Sequence, residues 1–236
     1  MIASRLLALC IAAATATALL AQDKRFAFTV VDPAHAQIDM HLRDDRDSLY
    51  RRLGPLVKSL EAKKQEVLVA MNAGMFTSDR SPLGLFVANG KKVVPLNRRT
   101  AATGNFYMQP NGVFGVRPDH TAFICTSAEF PTLAEMRCAT QSGPMLVVKG
   151  VMNKLFTPGS TNVHIRNGVG IRADGHLVFA ISKEPVTFHD FASFFLAQGC
   201  VDALYLDGFV SKAFMPAQGV RQLDGELGPL ISVVKR

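Results

Sequence analysis

The 236-residue sequence predicts one α+β domain, a mixed, mainly antiparallel β-sheet with two or three helices packed against it. Three observations carry this. Short apolar runs recur along the chain between turn dipeptides, the pattern of strands joined by hairpins. One longer stretch switches to a helical spacing of apolar residues, and another carries helix-capping residues at both ends. Hydrophobic residues make up 48% of the chain and charged residues 19%, which suits a buried core and excludes a disordered chain. The glycines and prolines are scattered, and no repeat at a period of roughly 20 to 50 residues marks a solenoid or propeller.

The first 21 residues stand apart. A single charge, Arg5, precedes an uncharged Leu- and Ala-rich run from Leu6 to Ala21, with small residues at Ala16-Thr17-Ala18 and at Ala21. This is the pattern of a secretory signal peptide, so residues 1–21 are set aside and 22–236 are taken as the domain. The expected location is periplasmic or secreted. An uncleaved anchor is the rival reading, but a span wants about 20 apolar residues and this run is shorter.

The formal net charge is +7, or +6 once Arg5 leaves with the signal. A basic exported protein suits an anionic envelope surface or glycan. Nucleic acid is not the expected partner: the chain has no Trp, three Tyr, and no Lys/Arg run longer than two residues.

The elements follow in order. Phe26–Val31 and Ala36–Met40 read as strands about a turn at Asp32-Pro33. Asp44–Gln65 reads as a helix from Leu49, Leu53, Leu56 and Leu60 on one face, with Gly54-Pro55 splitting or kinking it. Val67–Met71 is a buried-strand run. Leu85–Ala88 and Val93–Leu96 flank Asn89-Gly90, a hairpin dipeptide because both residues tolerate positive φ. Gly112–Val116 and Thr121–Ile124 flank Pro118-Asp119, Pro131–Cys138 reads as a short helix, and Met145–Val148 as a strand. Gly168–Arg172 and His176–Ile181 flank the second hairpin signal, Asp174-Gly175. Thr187–Gln198 is a helix with Thr187 as N-cap, Asp190 three residues on, and Gly199 at the C-cap. Ala203–Leu206 is a strand ending in Asp207-Gly208.

Most common catalytic signatures are absent: H-E-x-x-H, the P-loop, G-x-S-x-G, the EF-hand loop and the dinucleotide fingerprint. No C-x-x-C occurs, which excludes zinc ribbons and thioredoxin-like chemistry. In an oxidising compartment Cys125 and Cys138 are expected to close a short loop, with Cys200 left in the core.

Polar, glycine-bearing clusters at strand ends are the feature that remains. They are Asn72-Ala73-Gly74, Gln141-Ser142-Gly143-Pro144, His164-Ile165-Arg166-Asn167-Gly168 and Asp207-Gly208-Phe209-Val210-Ser211-Lys212. Each places an amide or charged group beside a glycine, where backbone can approach a ligand.

At these residues the chain resembles the phosphodiester glycosidase family, in a short exported bacterial form. The resemblance runs in order through Met71–Phe76, Gln141–Val147, Arg166–Ile171 with Asp174-Gly175, and Ala203–Gly208 with Ser211. Where the family often carries a Gly/Ser-rich run after Asp-Gly, this chain has Phe209-Val210-Ser211-Lys212.

The resemblance implies hydrolysis of a sugar-1-phosphodiester at the C1–O bond, giving free sugar and a phosphomonoester, with a glycan or sugar phosphate as substrate. Asp207, Asn72 and Arg166 are the implied catalytic residues. Asp207 would activate water or stabilise charge at C1, Asn72 would orient hydroxyls or phosphate, and Arg166 would clamp the phosphate. Ser142, Gly143, Asn167, Gly208, Ser211 and Lys212 would bind substrate or phosphate. A rival role for Asp207 is to hold a divalent cation such as Ca2+ with loop carbonyls. Two alternative functions share these residues: a non-catalytic binding module for anionic envelope glycan, and a metal-dependent phosphodiesterase.

Overall fold

The computed structural model describes residues 23–131 and 135–236, so the expected signal peptide lies outside the described residues. In chain order the elements are β1 (Phe26–Val31), β2 (Ala36–His41), α1 (Leu53–Ala62), β3 (Val67–Asn72), β4 (Phe86–Ala88) and β5 (Lys91–Val94). Then come β6 (Gly112–Val116), β7 (Ala122–Thr126), β8 (Cys138–Ser142), β9 (Met145–Val148), β10 (Val151–Met152) and β11 (Asn167–Arg172). The chain finishes with β12 (Leu177–Ser182), α2 (Phe188–Ala197), β13 (Cys200–Asp207), β14 (Ala213–Met215), β15 (Val220–Arg221) and β16 (Leu230–Lys235).

The expected sheet is realised as three. The first has order β1-β12-β11-β13-β9-β10, the second β15-β14-β3-β16-β2, and the third β5-β4-β8-β6-β7. Every ladder in them is antiparallel. Their inner faces share one apolar core, to which Phe179 and Leu204, Met71 and Ile231, and Phe86 and Phe114 contribute from the three sheets in turn.

A helix covers the outer face of two sheets. α1 lays Leu53, Leu56, Val57 and Leu60 on the second sheet. It is shorter than the sequence pattern suggests: Gly54 and Pro55 fall in its first turn, where a missing N–H costs nothing, and Leu49 lies before it. α2 begins as expected, with the Thr187 side chain accepting from the Asp190 N–H and the Asp190 carboxylate accepting from the Thr187 N–H. It buries Phe191 and Phe195 against the first sheet, each contributing about 2 kcal/mol as an upper estimate. Gly168 and Gly170 make room for them. A Cβ on Gly168 would lie 3.1 Å from the Phe191 ring, and one on Gly170 would lie 2.7 Å from the Phe195 ring. These two glycines therefore serve helix packing rather than a ligand.

The third sheet has a smaller outer cluster in which Phe130 and Met136 pack on Leu85 and Val113. The helix expected over Pro131–Cys138 falls partly on residues 132–134, outside the described residues, and Cys138 itself opens β8. The Asn89-Gly90 hairpin is borne out, with both residues at positive φ between the paired Ala88 and Lys91.

The expected Cys125–Cys138 bridge is not formed; Cys125, Cys138 and Cys200 are free thiols. Cys125 pairs with Val113 and Cys138 with Val116, on opposite sides of β6. Two strand spacings, about 10 Å, separate their strands, and their partners lie three residues apart along β6, so they stand well beyond the roughly 7 Å that a disulfide spans between Cα atoms.

Candidate active site

The three sheets meet at strand ends, and the polar clusters gather there. β3 ends in Asn72, β8 ends in Ser142, β11 begins at Asn167, and β13 ends in Asp207. Asn167 pairs with Asp207 while the next residue, Gly168, pairs with Tyr205, so Leu206 is the extra residue of a β-bulge. A bulge turns the following side chain out of the regular alternation, and here that side chain is Asp207.

Asp207 is buried, at 6% exposure. Its Oδ1 accepts the Gly208 N–H at 2.6 Å and the Phe209 N–H at 3.0 Å. Burial pushes its carboxyl pKa up, and these N–H groups oppose the shift without cancelling it.

Around its backbone lies an amide clasp. Asn167 Oδ1 accepts the Asp207 N–H at 3.0 Å and lies 3.2 Å from Ser211 Oγ. The Asn167 amide donates to the Asn72 carbonyl at 2.8 Å, and Asn72 Oδ1 accepts the Lys212 N–H at 2.9 Å. The Ser211 hydroxyl also bonds the Asp207 carbonyl. Asn72 and Asn167 are fully buried and spend their polar atoms on each other, on the Ser211 hydroxyl and on backbone, so they hold Asp207 in place.

Arg166 lies behind this group. Its Nε donates to the Val186 carbonyl at 2.8 Å, Nη1 to the Tyr205 hydroxyl at 3.1 Å, and Nη2 to the Asn162 carbonyl and Oδ1 at 2.9 and 2.8 Å. Its guanidinium stacks 3.7 Å from the Phe188 ring centroid, and burial disfavours its charge. Sequence reading expected a phosphate clamp; this geometry makes Arg166 a positioning residue for Tyr205. That hydroxyl presses on Gly208, where a Cβ would sit 1.5 Å from it.

The other expected binding residues divide similarly. The buried Ser142 hydroxyl donates to the Leu206 carbonyl at 2.7 Å, steadying the bulge. Gly143 is packed, its Cβ position lying 2.7 Å from Asn111 Cβ. Lys212 Nζ pairs with Asp224 at 3.2 Å.

Asp207 faces a cavity of about 630 Å³ whose walls include Phe76, Arg80, Tyr107, Phe209 and Glu226. Phe76 and Phe209 belong to the clusters and motifs singled out in the sequence, whereas Arg80, Tyr107 and Glu226, from the loops at 75–83 and 103–107 and from the segment before β16, were missed. The charged run Asp79-Arg80 just after the first cluster was the available signal. A second hollow, about 770 Å³, opens beside Leu85, Leu96 and Met136 on the third sheet and shares no lining residue with the first. For a cation such as Ca2+, Asp207 would offer Oδ2, because Oδ1 is taken by backbone N–H groups. Among the described residues no three His, Cys, Asp or Glu side chains gather as a metal-ligating set.

Comparisons with known proteins give the chain's family and fold. A sequence model of the phosphodiester glycosidase family matches residues 65–227. The uncharacterized protein YigE of Escherichia coli K12 is 37% identical over 186 residues, covering 78% of this chain and 72% of YigE. Among solved structures, the catalytic domain of zebrafish N-acetylglucosamine-1-phosphodiester alpha-N-acetylglucosaminidase, auto-inhibited by its pro-peptide, shares the fold. Its TM-score is 0.55 at 15% identity, over 90% of this chain and 89% of that one. A hypothetical protein from Synechocystis matches with a TM-score of 0.52 at 14% identity, over 89% of this chain and 59% of its own. On these matches the chain belongs to the phosphodiester glycosidase family.

Proposed function

We propose that this protein, a hydrolase of its family, cleaves the sugar C1–O bond of a sugar-1-phosphodiester in the periplasm or outside the cell, giving free sugar and a phosphomonoester. The observation that carries this reading is the asymmetry of the two carboxylates in the cavity wall. Asp207 is buried with raised proton affinity, whereas Glu226 is surrounded by Arg51, Arg52 and Arg80 at 3.9, 3.8 and 3.3 Å.

An ordinary glycosidase needs one carboxyl to protonate the leaving oxygen and a second to act at C1. A phosphate ester leaves as a stable anion and needs no such proton, so one working carboxylate suffices. Asp207 takes a proton from the attacking water as its oxygen bonds C1, and its raised pKa makes it the stronger base for that step. The C1–O bond breaks with its electron pair going to the phosphate. Asn72, Asn167 and Ser211 keep Asp207 from turning away, and Arg166 acts through Tyr205 and Gly208. The zebrafish protein's name, N-acetylglucosamine-1-phosphodiester alpha-N-acetylglucosaminidase, supports the same bond as the target.

The test is product analysis with the purified protein and a panel of sugar-1-phosphodiesters, with Ca2+ or chelator added. Free sugar supports the proposal, and loss of activity in chelator would add a cation to it. Sugar 1-phosphate would make the protein a phosphodiesterase. Saturable binding without product would make it a binding module for anionic glycan.

A further inference from the structure

Resting on that reading, we infer that Arg80 holds the substrate's phosphate in the Asp207 cavity, at an anion subsite beside Glu226, the carboxylate that Arg51 and Arg52 also flank. With Arg166 committed to Val186, Tyr205 and Asn162, Arg80 is the only Lys or Arg among the described residues of the cavity wall.

It is built into place. The loop from Thr77 to Ser81 closes on itself, with the Thr77 N–H donating to the Ser81 carbonyl and the Arg80 N–H to the Thr77 carbonyl, both at 2.9 Å. The guanidinium lies 5.2 Å from the Phe76 ring centroid, and Nη1 donates to the Glu226 carbonyl at 2.8 Å. The Arg80 side chain is one-quarter exposed, so a ligand can reach it.

Two features make the place anion-seeking. Two of the five N–H donors of a guanidinium are spent on Glu226, leaving three in the planar fork that matches a phosphate edge. Glu226 is also one carboxylate among three arginines, so the group carries an excess of positive charge that a phosphate dianion or diester would balance. Arg80 and Asp207 share one cavity, so a phosphate at Arg80 would leave the adjoining sugar beside Asp207.

The experiment is calorimetric titration of the full protein with inorganic phosphate, glucose 1-phosphate and glucose, repeated on Arg80→Met, Arg80→Lys and Glu226→Gln. Arg80→Met keeps the aliphatic packing on Phe76, and its melting temperature reports that the fold is kept. It should weaken both anions roughly 10- to 100-fold and leave glucose unchanged, while Arg80→Lys falls between. Glu226→Gln should tighten phosphate, because the Glu226 carbonyl still anchors Arg80 while a negative charge is gone. Phosphate affinity within twofold of the parent in Arg80→Met, or weakened phosphate binding in Glu226→Gln, overturns the inference. If phosphate binding depends on Arg80 but no diester yields free sugar, the subsite stands and the glycosidase reading falls. If diesters yield free sugar at an unchanged kcat/KM in Arg80→Met, the glycosidase reading stands and the subsite falls.

Discussion

Asn167 holds Asp207 by its backbone: the side-chain oxygen of the one accepts the amide N–H of the other at 3.0 Å across a bulged strand pair. The bond satisfies an N–H that the bulge at Leu206 removes from the regular ladder, and it fixes the direction of the carboxylate that follows. The same amide reaches the Asn72 carbonyl, so one side chain ties β3 of the second sheet to β13 of the first.

Asn167→Ala should separate catalysis from stability. It strands the Asp207 N–H and the Asn72 carbonyl in a buried place, a cost of about 1–3 kcal/mol. Because Asp207 also loses its anchor, kcat should fall by roughly 10²-fold while KM changes little. Denaturant unfolding and steady-state kinetics on the same preparation check both halves.

Asp207→Asn should abolish turnover, by at least about 10²-fold if the carboxylate is the base. It should not harm the fold, since the amide oxygen can still accept the Gly208 and Phe209 N–H groups. The folded carboxyl pKa lies above its usual value, so the folded state binds the proton more tightly than the unfolded chain. Asp207 then costs the parent stability as pH rises from the unfolded pKa, near 3.9, through the folded one. The variant should be as stable as the parent or more so at neutral pH, with the gap closing on acidification. Unfolding curves at several pH values measure it; a variant markedly less stable at pH 7 would refute the sign.

Arg166→Lys tests positioning against ligand binding. An ammonium retains the charge but cannot serve Val186, Tyr205 and Asn162 together or stack on Phe188. Losing at least one charged hydrogen bond in a buried place should cost about 2–3 kcal/mol of stability. The affinity for phosphate should hardly change, because Arg166 is outside the cavity wall. Thermal unfolding and phosphate titration distinguish this from a clamp, for which the affinity would fall first.

Gly208→Ala should be severely damaging, because its Cβ would overlap the Tyr205 hydroxyl. Removing that hydroxyl in the Gly208→Ala, Tyr205→Phe double variant should recover part of the stability, so the two changes should couple by about 1–3 kcal/mol. A double-mutant cycle by denaturant unfolding gives the coupling directly.

Much of the fold is local chemistry and was legible in the chain. The Thr187 cap with Asp190 starts α2, Gly199 at positive φ follows it, and Asn89-Gly90 turns the β4–β5 hairpin. β8 was not legible. Cys-Ala-Thr-Gln-Ser shows no alternation, because the strand lies in the middle of its sheet with all five residues buried. The strand-end clusters named in the sequence come together in the fold, and Asp207 among them lines a cavity.

By itself, then, the sequence determined a mainly antiparallel α+β chain, its family and the place of Asp207 at a strand end, since each rests on neighbouring residues or ordered motifs; the three sheets and the burial of Asp207 came from the tertiary structure. Tertiary structure decided what each polar group does there. Arg166 is held by Val186, Asn162 and Tyr205, two backbone carbonyls among its partners, and a carbonyl leaves no mark in a sequence. Arg80, Tyr107, Phe209 and Glu226 come together from loops far apart in the chain, and only the meeting of the three sheets makes them one cavity. Cys125 and Cys138 are near in sequence but lie on either side of β6, because hydrogen-bonded register rather than chain separation sets distance within a sheet.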